Sequence, residues 1–252
     1  MLLLFSYPLI YIFEKLFGFI SDVTLIEISD SNHPLLRKLA EEAPGTFQHS
    51  MQVANLAESV VRVIGGNPLL VRAGAMYHDI GKTQNSVLFT ENQISGVNPH
   101  EDLGRKESSH MIVDHVIRGA EIAKKHKLPK PVVDFILTHH GTSKTQYFLK
   151  MYAKENPDTQ LDPNEFAYPG PRPFSKETAI LMMADSVEAA SRSLSDYSKE
   201  SLKNLINQII AGQMADEQYN EAEITFRDIE KAKEIFLSKL ENIYHARIQY
   251  PK

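Results

Sequence analysis

Cysteine is absent from the 252 residues, and so is tryptophan. Without a thiol the chain can build no disulfide, no thiolate zinc site, no iron–sulfur cluster and no cysteine nucleophile. An excess of positive charge is also missing. The 27 basic and 32 acidic residues leave a net charge of −5, which argues against a general nucleic-acid binder. No apolar run reaches the roughly 20 residues that cross a bilayer, and there is no internal repeat or low-complexity tract. What is present is an ordinary globular balance, with 42% hydrophobic and 23% charged residues. The length suits one large domain or two small ones and buries enough apolar surface to fold without a staple. A metal site must therefore be built from His, Asp and Glu, and ten histidines are available.

The opening stretch MLLLFSYPLIYIF (Met1–Phe13) is almost wholly apolar before Glu14 and Lys15. It lacks the basic start and small-residue cleavage site of a secretory signal. Two readings stand: a buried helix, or the last turns of a longer membrane helix. Asn32-His33-Pro34 reads as a helix start with Pro at the first position, and Pro44-Gly45 as a stop. Thr46–Ile64 follows as a helix, with Thr46 the expected N-cap and Gly65-Gly66 the break. Pro68 opens the next, which is expected to run to Gly81. Polar Asn85–Ser109 reads as a long irregular loop or lid. Helices are expected over Ser109–His126, Pro131–His139, Lys176–Leu194, Lys199–Ala215 and Thr225–Ile248. Between them Asn156–Phe174, with prolines at 157, 163, 169, 171 and 173, should be an irregular excursion. No alternation of apolar and polar residues is long enough for a strand, so the fold class is all-α.

Several titratable residues sit where a helix should be apolar. His49 is in register with Val53, Leu56 and Val60, and His115 shares a face with Ile112, Gly119 and Ile122. His78 and Asp79 end a run rich in Leu, Val and Ala, and His139 and His140 follow VVDFIL. Asp185 interrupts AILMMADSVEAA. A single histidine on such a stripe is more often a hydrogen-bonded core residue than a ligand. Five imidazoles and two carboxylates are harder to dismiss, because each would cost several kcal/mol if buried unpaired. Convergence on metal satisfies all of them. Imidazole and carboxylate suit iron, manganese, zinc or nickel better than calcium or magnesium. Seven donors exceed the needs of one ion; with one carboxylate bridging, they serve two, as in hydrolytic sites acting at phosphorus.

The order His … His-Asp … His … His-His … Asp, read in GTFQHS, YHDIGK, DHVIRGAE, THHGTS and MADSVEAA, resembles the HD-domain phosphohydrolase superfamily in its longer two-metal form. EEAPGTFQHSMQVANLAE, YHDIGKT, FTENQ, GAEIAKKHKLP, THHGTS, YPGPRP and ADSVEAASRS further resemble the HD domain of seven-transmembrane HD proteins. Those are the PgpH-type phosphodiesterases of cyclic di-AMP. The likeness runs from about Leu16 to the C-terminus.

The resemblance implies an HD helical bundle with a dinuclear site in its core. It implies residues 1–15 as the tail of a membrane helix, 16–45 as a connecting helical segment and 46–252 as the HD domain. The cofactors it implies are two divalent transition-metal ions, expected to be iron or manganese. His49, His78, Asp79 and Asp185 would hold one, and Asp79, His115, His139 and His140 the other. The implied reaction opens cyclic di-AMP to pApA through a hydroxide shared by the ions. Lys82, one turn past the His-Asp pair, is expected to contact phosphate, since a lysine beside two cations needs an anion between them. Thr142 and Arg172 are weaker substrate candidates. The remaining histidines (His33, His100, His110, His126, His245) are expected to be surface or capping residues. The partners implied are the cyclic dinucleotide and, through further N-terminal sequence, the cell membrane, with no nucleic-acid polymer and with oligomerisation left open.

Two other readings compete. Cyclic di-GMP hydrolysis would be accompanied by a Gly-Tyr-Pro motif soon after the His pair; GTSKTQYF stands there instead, and Tyr168-Pro169-Gly170 lies further on. A non-catalytic signalling module should have lost ligands, and here the full set is present. Enzymes of the superfamily with a single metal do not need the extra histidines.

Overall fold

The computed structural model describes residues 3–93, 99–101 and 103–245. They form eleven α-helices: α1 (Leu3–Phe17), α2 (Asp22–Ile28), α3 (Pro34–Glu42), α4 (Pro44–Ile64), α5 (Pro68–Tyr77), α6 (Arg105–Lys125), α7 (Lys130–Thr138), α8 (Gln146–Glu155), α9 (Lys176–Ser191), α10 (Lys199–Ala215) and α11 (Phe226–His245). Among the described residues the nearest approach to a sheet is one bridge between Lys144 and Ala167. The all-α expectation holds.

Helix α4 is the central post. It packs against α3, α5, α9 and α11, while α7 covers α5 and α6. Leu56, Val60, Tyr77, Ile180, Leu181 and Phe236 are buried at these crossings. The Tyr77 hydroxyl donates to the Ile28 carbonyl at 2.6 Å, tying α2 to the end of α5. Helix α9, which must pass through the middle of the bundle, is buried on nearly all sides. Its start is fixed by a capping box in which Ser175 and Thr178 satisfy each other's backbone.

Boundaries moved where proline and capping chemistry competed. Helix α4 starts at Pro44, so that Pro44-Gly45 opens one helix as it closes another, with Ala43 at the N-cap. Thr46 is therefore not the cap. Its hydroxyl donates to Glu91 and accepts from Asn92. Helix α5 ends at Tyr77 rather than Gly81, and Ile80–Leu88 and Thr90–Asn92 wind as 3₁₀ turns. Helix α6 begins at Arg105, leaving a shorter irregular stretch than Asn85–Ser109; residues 94–98 and 102 of that stretch lie outside the described ones. Helix α8 had no counterpart in the sequence reading, because Phe148 is its one buried residue and it offers little apolar face. The proline-rich 156–174 segment is irregular except for one 3₁₀ turn at Pro163–Phe166. The end of α11 expected at Ile248 falls outside the described residues.

The turn after α5 approaches α6 closely. A Cβ on Gly81 would lie 1.9 Å from the His115 carbonyl oxygen and 2.7 Å from the Gly119 nitrogen. Both obstacles are backbone, so neither can swing aside. Gly81→Ala should therefore push α6 off the turn that carries His78 and Asp79. An overpacking cost of about 1–3 kcal/mol predicts a melting temperature lower by roughly 3–10 °C, measurable by calorimetry; an unchanged melting temperature would contradict the packing described.

Candidate metal centre

Five helices each bring donors to one point. His49 comes from the middle of α4, His78 caps the C-terminus of α5, His115 comes from α6, His139 caps α7, and Asp185 sits mid-way along α9. His140 follows His139. Asp79 occupies the sparsely populated region between helix and strand (φ −105°, ψ 16°), which turns its carboxylate into the cluster. Its Oδ1 lies 3.2 Å from His115 Nε2 and 3.6 Å from His139 Nε2. Its Oδ2 lies 3.3 Å from His78 Nε2 and 3.8 Å from His49 Nε2. Asp185 closes the other side, with Oδ1 2.9 Å from His49 Nε2 and Oδ2 3.8 Å from His140 Nδ1. All seven residues singled out from sequence thus converge, with Asp79 between the two halves.

The ring orientations are set by the backbone. His78, His115 and His139 donate Nδ1–H to the carbonyls of Ala75, Ile112 and Ile136, each three residues earlier on the same helix. In the neutral tautomer that this bond selects, each Nε2 presents a lone pair to the centre. His115 Nε2 and His139 Nε2 then face each other at 3.2 Å with no proton to share. His78 Nε2 and Asp79 Oδ1 are buried without a hydrogen-bond partner. Converging lone pairs and orphaned acceptors repel unless a cation lies among them. The donors fall into two groups able to hold a metal ion, His49–His78–Asp79 and His115–His139–His140, each with ligand atoms within 4.8 Å of one another. The residues fit metal, and the N/O donor set suits a transition metal.

Electrostatics favour positive charge here. Burial alone would raise both aspartates, but Lys82 and His78 hold the Asp79 carboxyl well below its ordinary value, and His49 and His78 do the same for Asp185. Burial would lower His78, yet Asp79 and Asp185 outweigh it and raise the imidazole to about 10. His49 is raised by its bonds to Asp185 and Glu188 against the same burial. On the other side burial wins: His139 is lowered, and His140 falls well below its ordinary value with His139 alongside. Both carboxylates are thus held toward the ionised form, and His49 and His78 are drawn toward the protonated one, a demand for positive charge that a bound cation would also meet.

Lys82 is no solvated helix-end lysine. Its side chain is 12% exposed, with Nζ 2.7 Å from Asp79 Oδ2 and 2.9 Å from Glu91 Oε1. The anion expected between lysine and metal site is thus supplied by two protein carboxylates. A cleft of about 450 Å³ beside the cluster is lined by His49, Lys82, His140, Asp185 and Arg192 among others. Thr142 and Arg172 are not among those lining residues. They bond each other at 3.3 Å, and Gln218 and Glu217 hold the pair from the other side.

Three neighbours escaped the sequence reading. Glu188 accepts from His49 Nδ1 at 2.5 Å and from the Arg192 guanidinium through both oxygens. Its signal was present, one helical turn after Asp185 on the same face. Glu91 lies within FTENQ and clamps both Lys82 and Thr46. Tyr168 lays its ring on His140 at 4.2 Å, and nothing local in YPGPRP announces that. Of the histidines set aside, His33 caps α3 as expected and His110 is exposed, but His100 is buried and donates to the Leu88 carbonyl. His126 Nδ1 bonds the Ile122 carbonyl at the end of α6, and the side chain of His245 lies outside the described set.

Comparison with known proteins follows the same outline. Residues 46–190 match the HD domain family. The cyclic-di-AMP phosphodiesterase PgpH of Listeria monocytogenes is 43% identical over 240 residues, which is 95% of this chain and 33% of that protein. The PgpH of Bacillus subtilis is 44% identical over 240 residues, covering 95% of this chain and 34% of its own length. The chain therefore spans about a third of the curated relatives it matches. A crystal structure of the L. monocytogenes PgpH HD domain in complex with cyclic di-AMP superposes with a TM-score of 0.82 at 43% identity, over 85% of this chain and all of that one. With the family pattern spanning the helices that carry every donor of the cluster, the chain belongs to the HD domain family.

Proposed function

We propose that this chain is the catalytic domain of a metal-dependent phosphodiesterase that opens cyclic di-AMP to linear pApA. The observation that carries the reading is the set of buried Nε2 lone pairs and the orphaned Asp79 oxygen, aimed at one another beside an open cleft. The name and the bound ligand of the 43% identical relatives support the choice of cyclic dinucleotide.

His49, His78, Asp79 and Asp185 would hold one divalent ion and Asp79, His115, His139 and His140 a second, iron or manganese in each case. The ions would supply Lewis acidity, acidifying a water and withdrawing charge from the scissile phosphate. The protein's part is to aim and to balance. Ala75, Ile112 and Ile136 keep three imidazoles in the ligating tautomer. Glu188 does the same for His49 and is itself anchored by Arg192. Burial disfavours a charged Lys82, but Asp79 and Glu91 outweigh it and raise its pKa, so the ammonium persists at any working pH. From the cleft wall it would stabilise charge on phosphoryl oxygens. Thr142 and Arg172, which brace each other outside that lining, are better read as supports of the loop after His140.

We read residues 1–15 as the tail of a membrane helix, 16–45 as the connector and 46–252 as the HD domain, on the cytoplasmic side of the cell membrane. Among the described residues no helix is long and apolar enough to cross a membrane. Helix α1 and its exit nevertheless expose Leu9, Ile12, Phe13, Leu16, Phe17 and Phe19, an apolar surface of the kind lipid covers.

Manganese-loaded protein should convert cyclic di-AMP to pApA and leave cyclic di-GMP largely intact, as read by chromatography of the products. Asp79→Ala should lose both metal content and turnover. A preference for cyclic di-GMP, or wild-type turnover by Asp79→Ala, would contradict the assignment. Lys82→Ala should retain metal and lose roughly 10²–10³ in rate, the size typical of one electrostatic donor; wild-type rate at full metal content would remove Lys82 from the mechanism.

A further inference from the structure

Of the five imidazoles in the cluster, four are steered by hydrogen bonds. His49 Nδ1 bonds Glu188, and His78, His115 and His139 bond backbone carbonyls. His140 has no such bond among the described residues. It stands one residue past the C-cap of α7, beyond the helical end that serves His139. Its Nδ1 lies 3.8 Å from Asp185 Oδ2, outside hydrogen-bond reach. A ligating imidazole is normally oriented through its second nitrogen, so this ring needs another support. Its side chain is 24% exposed, and water there can satisfy a nitrogen without fixing the plane of the ring.

Ring packing takes that place. The His140 centroid lies 4.0 Å from that of His139, at 43°, and 4.2 Å from that of Tyr168, at 33°. Tyr168 is buried and comes from the YPGPRP motif, which the chemistry above leaves unused. A short stitch of backbone delivers it. Tyr168 N–H donates to the Ser143 carbonyl and Thr145 N–H to the Phe166 carbonyl, both at 2.9 Å, on either side of the Lys144–Ala167 bridge. Phe166 is fully buried and pins the same strip. The residues just after His140 therefore hold the segment whose ring stacks on His140. Any apolar side chain could fill that space, but only a flat one restrains the tilt of an imidazole. The Tyr168 hydroxyl bonds no described residue, so the ring and not the oxygen is in use.

Resting on the metal reading above, we propose that Tyr168 is the positioning residue for His140. Its ring stands in for the missing hydrogen bond and holds the plane from which His140 ligates the ion shared with His115 and His139.

The test dialyses metal-free wild-type, Tyr168→Leu, Tyr168→Met and Tyr168→Phe proteins against graded manganese and counts bound ions. Tyr168→Leu keeps an apolar side chain and removes the flat face. One of the two affinities should fall roughly 10–100-fold, the size typical of losing a ligand's outer support, while the other stays within about twofold. Tyr168→Met, flexible enough to fill the gap, should behave alike and carries the test if Tyr168→Leu does not fold. Tyr168→Phe should restore wild-type affinity for both ions. In manganese-soaked crystals of the folded aliphatic variant, the weakened peak should lie beside His115 and His139, with the His140 ring turned. Unchanged affinities, equal losses at both ions, or failure of Tyr168→Phe to restore binding would overturn the role. Wild-type protein that takes up no manganese would overturn the metal reading itself, and the role of Tyr168 with it.

Discussion

Everything in this molecule is arranged around one electrostatic demand: the Asp79 carboxylate is buried among imidazoles that point lone pairs at it. Neither the carboxylate nor the rings could be left there uncompensated, since removing a partner from such a cluster costs several kcal/mol. The ammonium of Lys82 lies against the Asp79 carboxylate, and the carboxylates in turn raise His49 and His78. A metal cation meets the demand more completely, because it can be shared by several donors at once. The two donor groups are ones that could hold metal ions.

That demand explains features of the fold that packing alone does not require. Helix α5 stops at Tyr77, which frees His78 and Asp79 to turn inward, and the chain then tightens into 3₁₀ turns against α6. Gly81 and Gly119 are bare where these backbones meet, so that His115 can reach Asp79. Three imidazoles use a carbonyl three residues back to fix their tautomer, a device that works because each sits in or at the end of a helix. Helix α9 is buried nearly all round, and it still carries Asp185 and Glu188 on one face toward His49.

The donors were legible in the sequence because polar residues on apolar helical faces conflict with their surroundings, and conflict is easy to see. His49 against Val53 and Val60, or Asp185 within AILMMADSVEAA, each break a pattern. The all-α class was legible for the complementary reason, since the apolar spacing agrees with helices throughout. Residues that break no pattern were missed. Glu188 looks like a surface acid until the bundle closes over it, and Tyr168 meets His140 only through a fold-back of the proline-rich segment. Thr142 was singled out because it follows the His pair and Arg172 from the PGPRP motif; in the fold they bond each other and contact Gln218 and Glu217. Lys82 was placed correctly beside the site, but its carboxylate partner Glu91 is nine residues away and invisible to local spacing.

The central claim is that the Asp79 carboxylate stands between two cations. Anomalous diffraction from crystals grown with manganese tests it most directly. Two peaks about 3.5–4 Å apart, one beside His49 and His78 and the other beside His115, His139 and His140, with Asp79 reaching both, are the expected result. A single peak, or two that Asp79 does not join, would contradict it.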